Sequence, residues 1–354
     1  MAQMWSTYEP TAARKRGRPG HEIRPKSITV DIHAHVAVPR AHAFAKPHLD
    51  PETIPLAHFA NAETKALSAK QEADIRERIA GNDERIADLD NMGIDIQVVC
   101  PPPPQCYYTV PLDIAVKATA MVNDGLAEFV AKRPDRYVAL GGVPLMDGHE
   151  AANELERCVK QLKFKGVEIL TNVAGKELSD PTLEPFWAKA EELDALVLLH
   201  PNGFTHAERF TRFYFNNVIG NPLETTIALH HLIFDGVLER HPGLKILAVH
   251  GGGFLGAYSG RIDHAWGARS DAHGNLPKPP TEYLKKVYFD TVVFTPLQLE
   301  ALVKTFGGDH VLMGTDYPFD MADFNPVEHV VSTGFDAATT AAIVGGNAKT
   351  LLGL

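Results

Sequence analysis

Eight times along this chain a short β-branched run gives way to a helical pattern, and no other feature constrains the fold as much. The runs cover residues 27–32, 94–100, 137–143, 166–170, 195–200, 244–250, 286–290 and 310–314. Most are apolar through their middles, as strands buried on both faces are. Helical spacing follows over 83–92, 112–132, 148–162, 183–193, 224–240 and 337–344. The helix of 224–240 stops at His241-Pro242-Gly243, and Thr295-Pro296-Leu297-Gln298 is a capping-box start. Eight β-then-α units predict an α/β protein of the (β/α)8 TIM barrel type over residues 27–354. A doubly wound open sheet is the rival, and no Gly-x-Gly-x-x-Gly follows the first strand to support it.

Two segments stand outside the alternation. Residues 34–78 carry Pro39, Pro47, Pro51 and Pro55 and then a helical stretch over 62–79. They read as an insertion over the barrel mouth after strand one, placed as a lid. Residues 1–26 hold six basic and two acidic side chains, which leaves −14 of the net charge of −10 on the remainder. They read as a basic disordered tail. Arg16-Gly17-Arg18-Pro19 matches the core of a minor-groove hook, but nothing else in this acidic chain supports nucleic-acid binding. The tail lacks an apolar signal core, and no window is apolar enough to span a membrane. Three cysteines are too few for a disulfide framework, so a cytoplasmic location is the expectation.

Seventeen histidines are about twice ordinary usage. Several fall at strand ends, the face where barrel enzymes do their chemistry. Strand one ends in His33-Ala34-His35, whose i, i+2 spacing points both imidazoles the same way. Strand five ends in His200 and strand six in His250, while Asp316 follows strand eight. Taken singly, each has a structural explanation: a buried histidine, a turn before three glycines, a helix N-cap. Together they read as a site for a divalent ion.

The arrangement resembles the amidohydrolase superfamily. Gly220-Asn221-Pro222-Leu223-Glu224, His250-Gly251-Gly252-Gly253, Gly260-Arg261-Ile262 and Gly314-Thr315-Asp316-Tyr317-Pro318-Phe319 narrow it. With Val122-Asn123-Asp124 and Gly345-Gly346-Asn347-Ala348 they are similar to its α-amino-β-carboxymuconate-ε-semialdehyde decarboxylase group. The resemblance implies one zinc ion held by His33, His35, His200 and Asp316, with His250 taking a proton from zinc-bound water. Three imidazoles and a carboxylate suit Mn2+ or Fe2+ as well. Strand four offers no lysine for a second metal. The resemblance also implies arginines for substrate carboxylates, at Arg76 in the insertion and at Arg269 from the neighbouring subunit of a homodimer. The expected reaction is non-oxidative decarboxylation of a carboxymuconate semialdehyde or a hydroxylated aromatic acid. The same constellation also suits a hydrolase or hydratase acting on a ring-cleavage product. A non-catalytic scaffold that kept the barrel is the reading from another class, and it would predict a degraded ligand set.

Overall fold

The structure, a computed structural model, describes residues 19–354. The eight barrel strands are β1 (Val30–His35), β2 (Ile96–Cys100), β3 (Tyr137–Ala139), β4 (Gly166–Leu170), β5 (Leu196–His200), β6 (Lys245–Ala248), β7 (Tyr288–Asp290) and β8 (Val311–Leu312). All neighbouring pairs are parallel, in chain order. Bridges from Gly141 to Val167 and from Ala34 to Tyr317 close the ring. The eightfold alternation is therefore a closed (β/α)8 barrel.

Two apolar layers hold it. Val30, Ile32, Val98, Leu140, Leu196, Leu198, Leu247 and Leu312 fill the lumen, and Ala348 and Leu352 of helix Asn347–Leu352 join them. Val167, Ile169, Val197, Leu199, Ile246 and Phe289 face outward, in one cluster with helix residues such as Leu155, Phe186, Leu229 and Leu302. Each such side chain contributes about 1.5–3 kcal/mol on burial.

Strand β1 does not alternate simply. Asp31 pairs with Gln97 and Ala34 with Val99, so Ile32 and His33 together oppose Val98. This is a β-bulge. Below it Val30 and Ile32 point into the lumen; above it Ala34 turns outward. His33 and His35 thus face the lumen at the top of the same strand.

Several boundaries differ from the sequence expectation. β1 runs three residues later than 27–32, because the bulge carries the ladder up to His35. β6 ends at Ala248, not His250: His250, Gly251, Gly252 and Gly253 all have positive φ, which no strand accommodates. A Cβ at Gly251 would lie 2.4 Å from Val293 Cγ1, so glycine is required there. The helical stretch of 62–79 breaks at Ile75 into Ala62–Asp74 and Arg76–Ala80. The expected tail is shorter at its inner end. Helix Gly20–Ile23 packs against Met92, and Arg24 forks onto Asp95. Residues 1–18, with the basic hook, lie outside the described residues.

Candidate metal centre

The histidines of the strand ends meet. His33, His35, His200 and His250 have ring centroids 5.0–5.4 Å apart in five of their pairings. Asp316 sits among them. Its Oδ1 lies 3.1 Å from His35 Nε2, 3.5 Å from His33 Nε2 and 3.9 Å from His200 Nε2. Its Oδ2 lies 3.4 Å from His250 Nε2.

The other nitrogen of each of the first three rings is anchored. His33 Nδ1 donates to Asp290 Oδ2 at 2.8 Å, His35 Nδ1 to the Pro101 carbonyl at 3.1 Å, and His200 Nδ1 to the Pro201 carbonyl at 2.6 Å. Carbonyls and carboxylates only accept, so these bonds put the proton on Nδ1 and leave Nε2 as a lone pair. Nε2 of His33 and of His200 is buried with no hydrogen-bond partner among the described residues. An orphaned buried nitrogen costs about 1–3 kcal/mol. Two of them beside one carboxylate oxygen are what a divalent cation would satisfy.

Electrostatics agree. Burial pulls His33 down to about 4, so the ring is neutral at pH 7, as a ligand must be. Burial alone would raise Asp316, but the electrostatic pull of the histidines packed around it, His33 foremost, holds it well below the usual carboxylate range. Burial would lower His250, yet its bond to Asp316 and the charges of Asp316, Asp290 and Glu168 keep it above its ordinary value.

Local folding places these groups. Asp316 has φ 61 and His250 φ 54, each strained by about 1–3 kcal/mol. Asp31 pins the first of these turns by accepting from Thr315 N at 3.0 Å and Thr315 Oγ1 at 2.7 Å. Asp316 N then donates to the His33 carbonyl at 2.8 Å.

Sequence reasoning missed three groups. Asp290 ends β7 and orients His33, with its Oδ1 accepting from Gly251 N at 2.9 Å. Its signal was an acid at a strand end. Glu168 is buried on β4, 3.7 Å from His35 Nδ1, and burial raises it to about 7. Its signal was a carboxylate inside an apolar strand. Cys100 of β2 completes a second grouping with His35 and Glu168. Asp290→Asn is expected to lower metal affinity about 10–100-fold, by weakening the acceptor behind His33; titration with a metal-sensitive dye measures it.

Beside the carboxyl ends of β4 and β5 lies a cavity of about 760 Å³. Ile54 and Phe59 of the insertion, Tyr107 and Tyr108 after β2, Leu170 of β4 and Asn202 after β5 contribute to its wall. The two arginines do not. Arg76 is exposed, and Arg269 is exposed and ion-paired with Asp271 at 2.7 Å.

A barrel with five metal-competent side chains at its strand ends defines a class of metal-dependent barrel enzymes. The chain belongs to the amidohydrolase family, whose match spans residues 30–354. Within it, similarity falls on decarboxylases. The chain is 32% identical over 332 residues to the 2-amino-3-carboxymuconate-6-semialdehyde decarboxylase of Dictyostelium discoideum, covering 93% of this chain and 92% of that protein. It is 29% identical over 323 residues to the gamma-resorcylate decarboxylase of Polaromonas sp. strain JS666, covering 84% and 97%. The structure of 5-carboxyvanillate decarboxylase from Novosphingobium aromaticivorans, complexed with manganese and 4-hydroxy-3-methoxy-5-nitrobenzoic acid, superposes with a TM-score of 0.82. That match has 23% identity and covers 93% of this chain and 97% of the other. Among the described residues no helix is long and apolar enough to cross a membrane.

Proposed function

We propose that this enzyme releases CO2 without oxidation from a carboxymuconate semialdehyde or a hydroxylated aromatic acid. In this reading His33, His35, His200 and Asp316 hold one divalent ion, and His250 moves the proton. The observation that carries it is the set of three imidazoles whose Nε2 atoms face one carboxylate oxygen while every Nδ1 is tied back. Zinc suits three imidazoles and a carboxylate; the manganese in the related structure keeps that ion in view as a second candidate.

When bound, the ion supplies positive charge that draws in an anionic substrate and offsets charge developing on its oxygens. His250 stands at the edge of the cluster with its Nε2 toward Asp316, and its raised pKa favours the protonated ring. From there it gives a proton to the carbon bearing the carboxylate. The C–C bond to that carboxylate breaks, its electron pair returns to the conjugated system, and CO2 leaves. One proton is consumed and no electrons are exchanged. Arg76 and Arg269 belong to the reading as carboxylate anchors, Arg269 crossing to the neighbouring site of a homodimer.

The test is CO2 release from carboxymuconate semialdehyde and from hydroxybenzoates. Chelator treatment should abolish it, and zinc or manganese should restore it. Consumption of substrate with no CO2 formed would sink the carboxy-lyase reading in favour of a hydrolase or hydratase.

A further inference from the structure

Helix Asp83–Met92 buries Arg85, Leu89 and Met92, whose spacing makes them one stripe of the helix. Leu89 and Met92 are ordinary occupants of such a stripe, and Arg85 is not. Its side chain is fully buried, and its hydrogen bonds go to carbonyl and amide oxygens rather than to a carboxylate. Arginine is almost never buried to this extent without a paired anion, because the charge is costly to take out of water.

The oxygens it holds lead to the metal centre. Nη2 donates to the carbonyl of His35 at 2.6 Å, and Nη1 to Gln97 Oε1 at 2.7 Å. Gln97 passes the contact on, with its Nε2 donating to Asp31 Oδ2 at 2.8 Å. An amide suits this position, because it accepts from the guanidinium with one end and donates to the carboxylate with the other. Asp31 accepts from His33 N at 3.1 Å as well as from Thr315, the bonds that pin the turn into Asp316. From one guanidinium the chain of bonds thus reaches the backbone of His33, of His35 and of the residue before Asp316.

The same group also holds the insertion. Nε and Nη2 both donate to the Arg78 carbonyl, at 3.1 and 2.7 Å, in the closing helix Arg76–Ala80. Cζ lies over the ring of Tyr317, the residue after Asp316, 4.8 Å from its centroid. A guanidinium is planar and its donors point in fixed directions. Bonded to three oxygens and stacked on a ring, it holds all four at set distances.

We propose that Arg85 is a positioning residue for the metal centre, which sets the spacing between His35, the turn into Asp316 and the insertion. The inference rests on the ligand set of the proposed function and not on its reaction, and metal binding alone reads it.

The full-length protein is stripped with chelator and titrated with Mn2+ against a metal-sensitive dye. Electron paramagnetic resonance of the bound Mn2+ reports the ligand geometry, and thermal melting of the stripped protein reports the fold. Arg85→Met removes the fork; Gln97→Met keeps Arg85 and breaks only the link to Asp31. Arg85→Met is expected to raise the Mn2+ Kd about 10–100-fold and to change the spectrum, and Gln97→Met to do both to a smaller extent. In the double variant the loss should fall short of the product of the two single losses by about threefold or more, because both act through one relay. Arg85→Lys keeps the charge without the fork and should restore neither affinity nor spectrum.

A residue that serves only the fold would lower the melting temperature and leave Kd and spectrum unchanged. That result overturns the inference, as do full additivity in the double variant and full restoration by lysine. If Arg85→Met does not fold, Arg85→Lys takes its place in the cycle. If neither folds, Gln97→Met decides, and an unchanged Kd and spectrum there overturn the inference. The expected losses in a protein that releases no CO2 would leave this inference standing and remove the reaction. CO2 release with Mn2+ binding untouched in the variants would do the reverse.

Discussion

Asp316→Ala is expected to leave the purified protein without its divalent ion and to cut turnover by roughly a thousandfold or more. This carboxylate lies within 4 Å of all four histidines. Its removal leaves two orphaned Nε2 atoms facing each other with no anion between them. A bound cation contributes several kcal/mol to a reaction that develops negative charge, and about 4 kcal/mol corresponds to roughly a thousandfold in rate. Metal analysis by mass spectrometry and CO2 release are read on the same sample. Turnover that survives with no metal present would show that the site has been misassigned.

His250→Asn separates proton transfer from metal binding. The variant should keep its ion and lose about 10²–10⁴-fold in kcat, the usual contribution of a positioned acid or base. His35→Asn should instead lose the ion. The contrast matters because His250, with His33, His200 and Asp316, also has ligand atoms mutually within 4.8 Å. The pH dependence has a definite sign. His250 is raised above its ordinary value, so its protonated form is present below that raised pKa and is lost as pH climbs through it. The alkaline fall in kcat should therefore belong to His250 and be absent from the pH profile of the variant. If His250→Asn strips the metal, the ligand and proton roles must be exchanged between His250 and His35.

Much of this was legible in the sequence because it is local. Strands buried on both faces write themselves as apolar runs, and the ends of those runs carry His33, His35, His200 and Asp316. What was not legible depends on contacts far along the chain. Asp290 orients His33 across 257 positions, and nothing near Tyr288-Phe289-Asp290 announces that partner. Glu168 is one carboxylate inside an apolar strand, and only the barrel turns it toward His35. Strand six ends two residues before the apolar run does, because His250 and the three glycines turn at positive φ where Val293 and Phe289 press on Gly251 and Gly252, contacts far along the chain. Gly20 and Arg24 read as tail in the sequence because Met92 and Asp95, which hold them, lie some seventy positions away.

The β1 bulge works as a phase shifter between two halves of one strand. Val30 and Ile32 answer to the packing of the lumen, while His33 and His35 answer to the chemistry at its mouth, and the extra residue lets both face inward. The two halves are thereby uncoupled, and the floor of the barrel can be repacked for thermal robustness without re-aiming the imidazoles. A one-residue deletion inside the bulge, harmless in size, would rotate the histidine pair out of register and erase the site in a barrel that still closes.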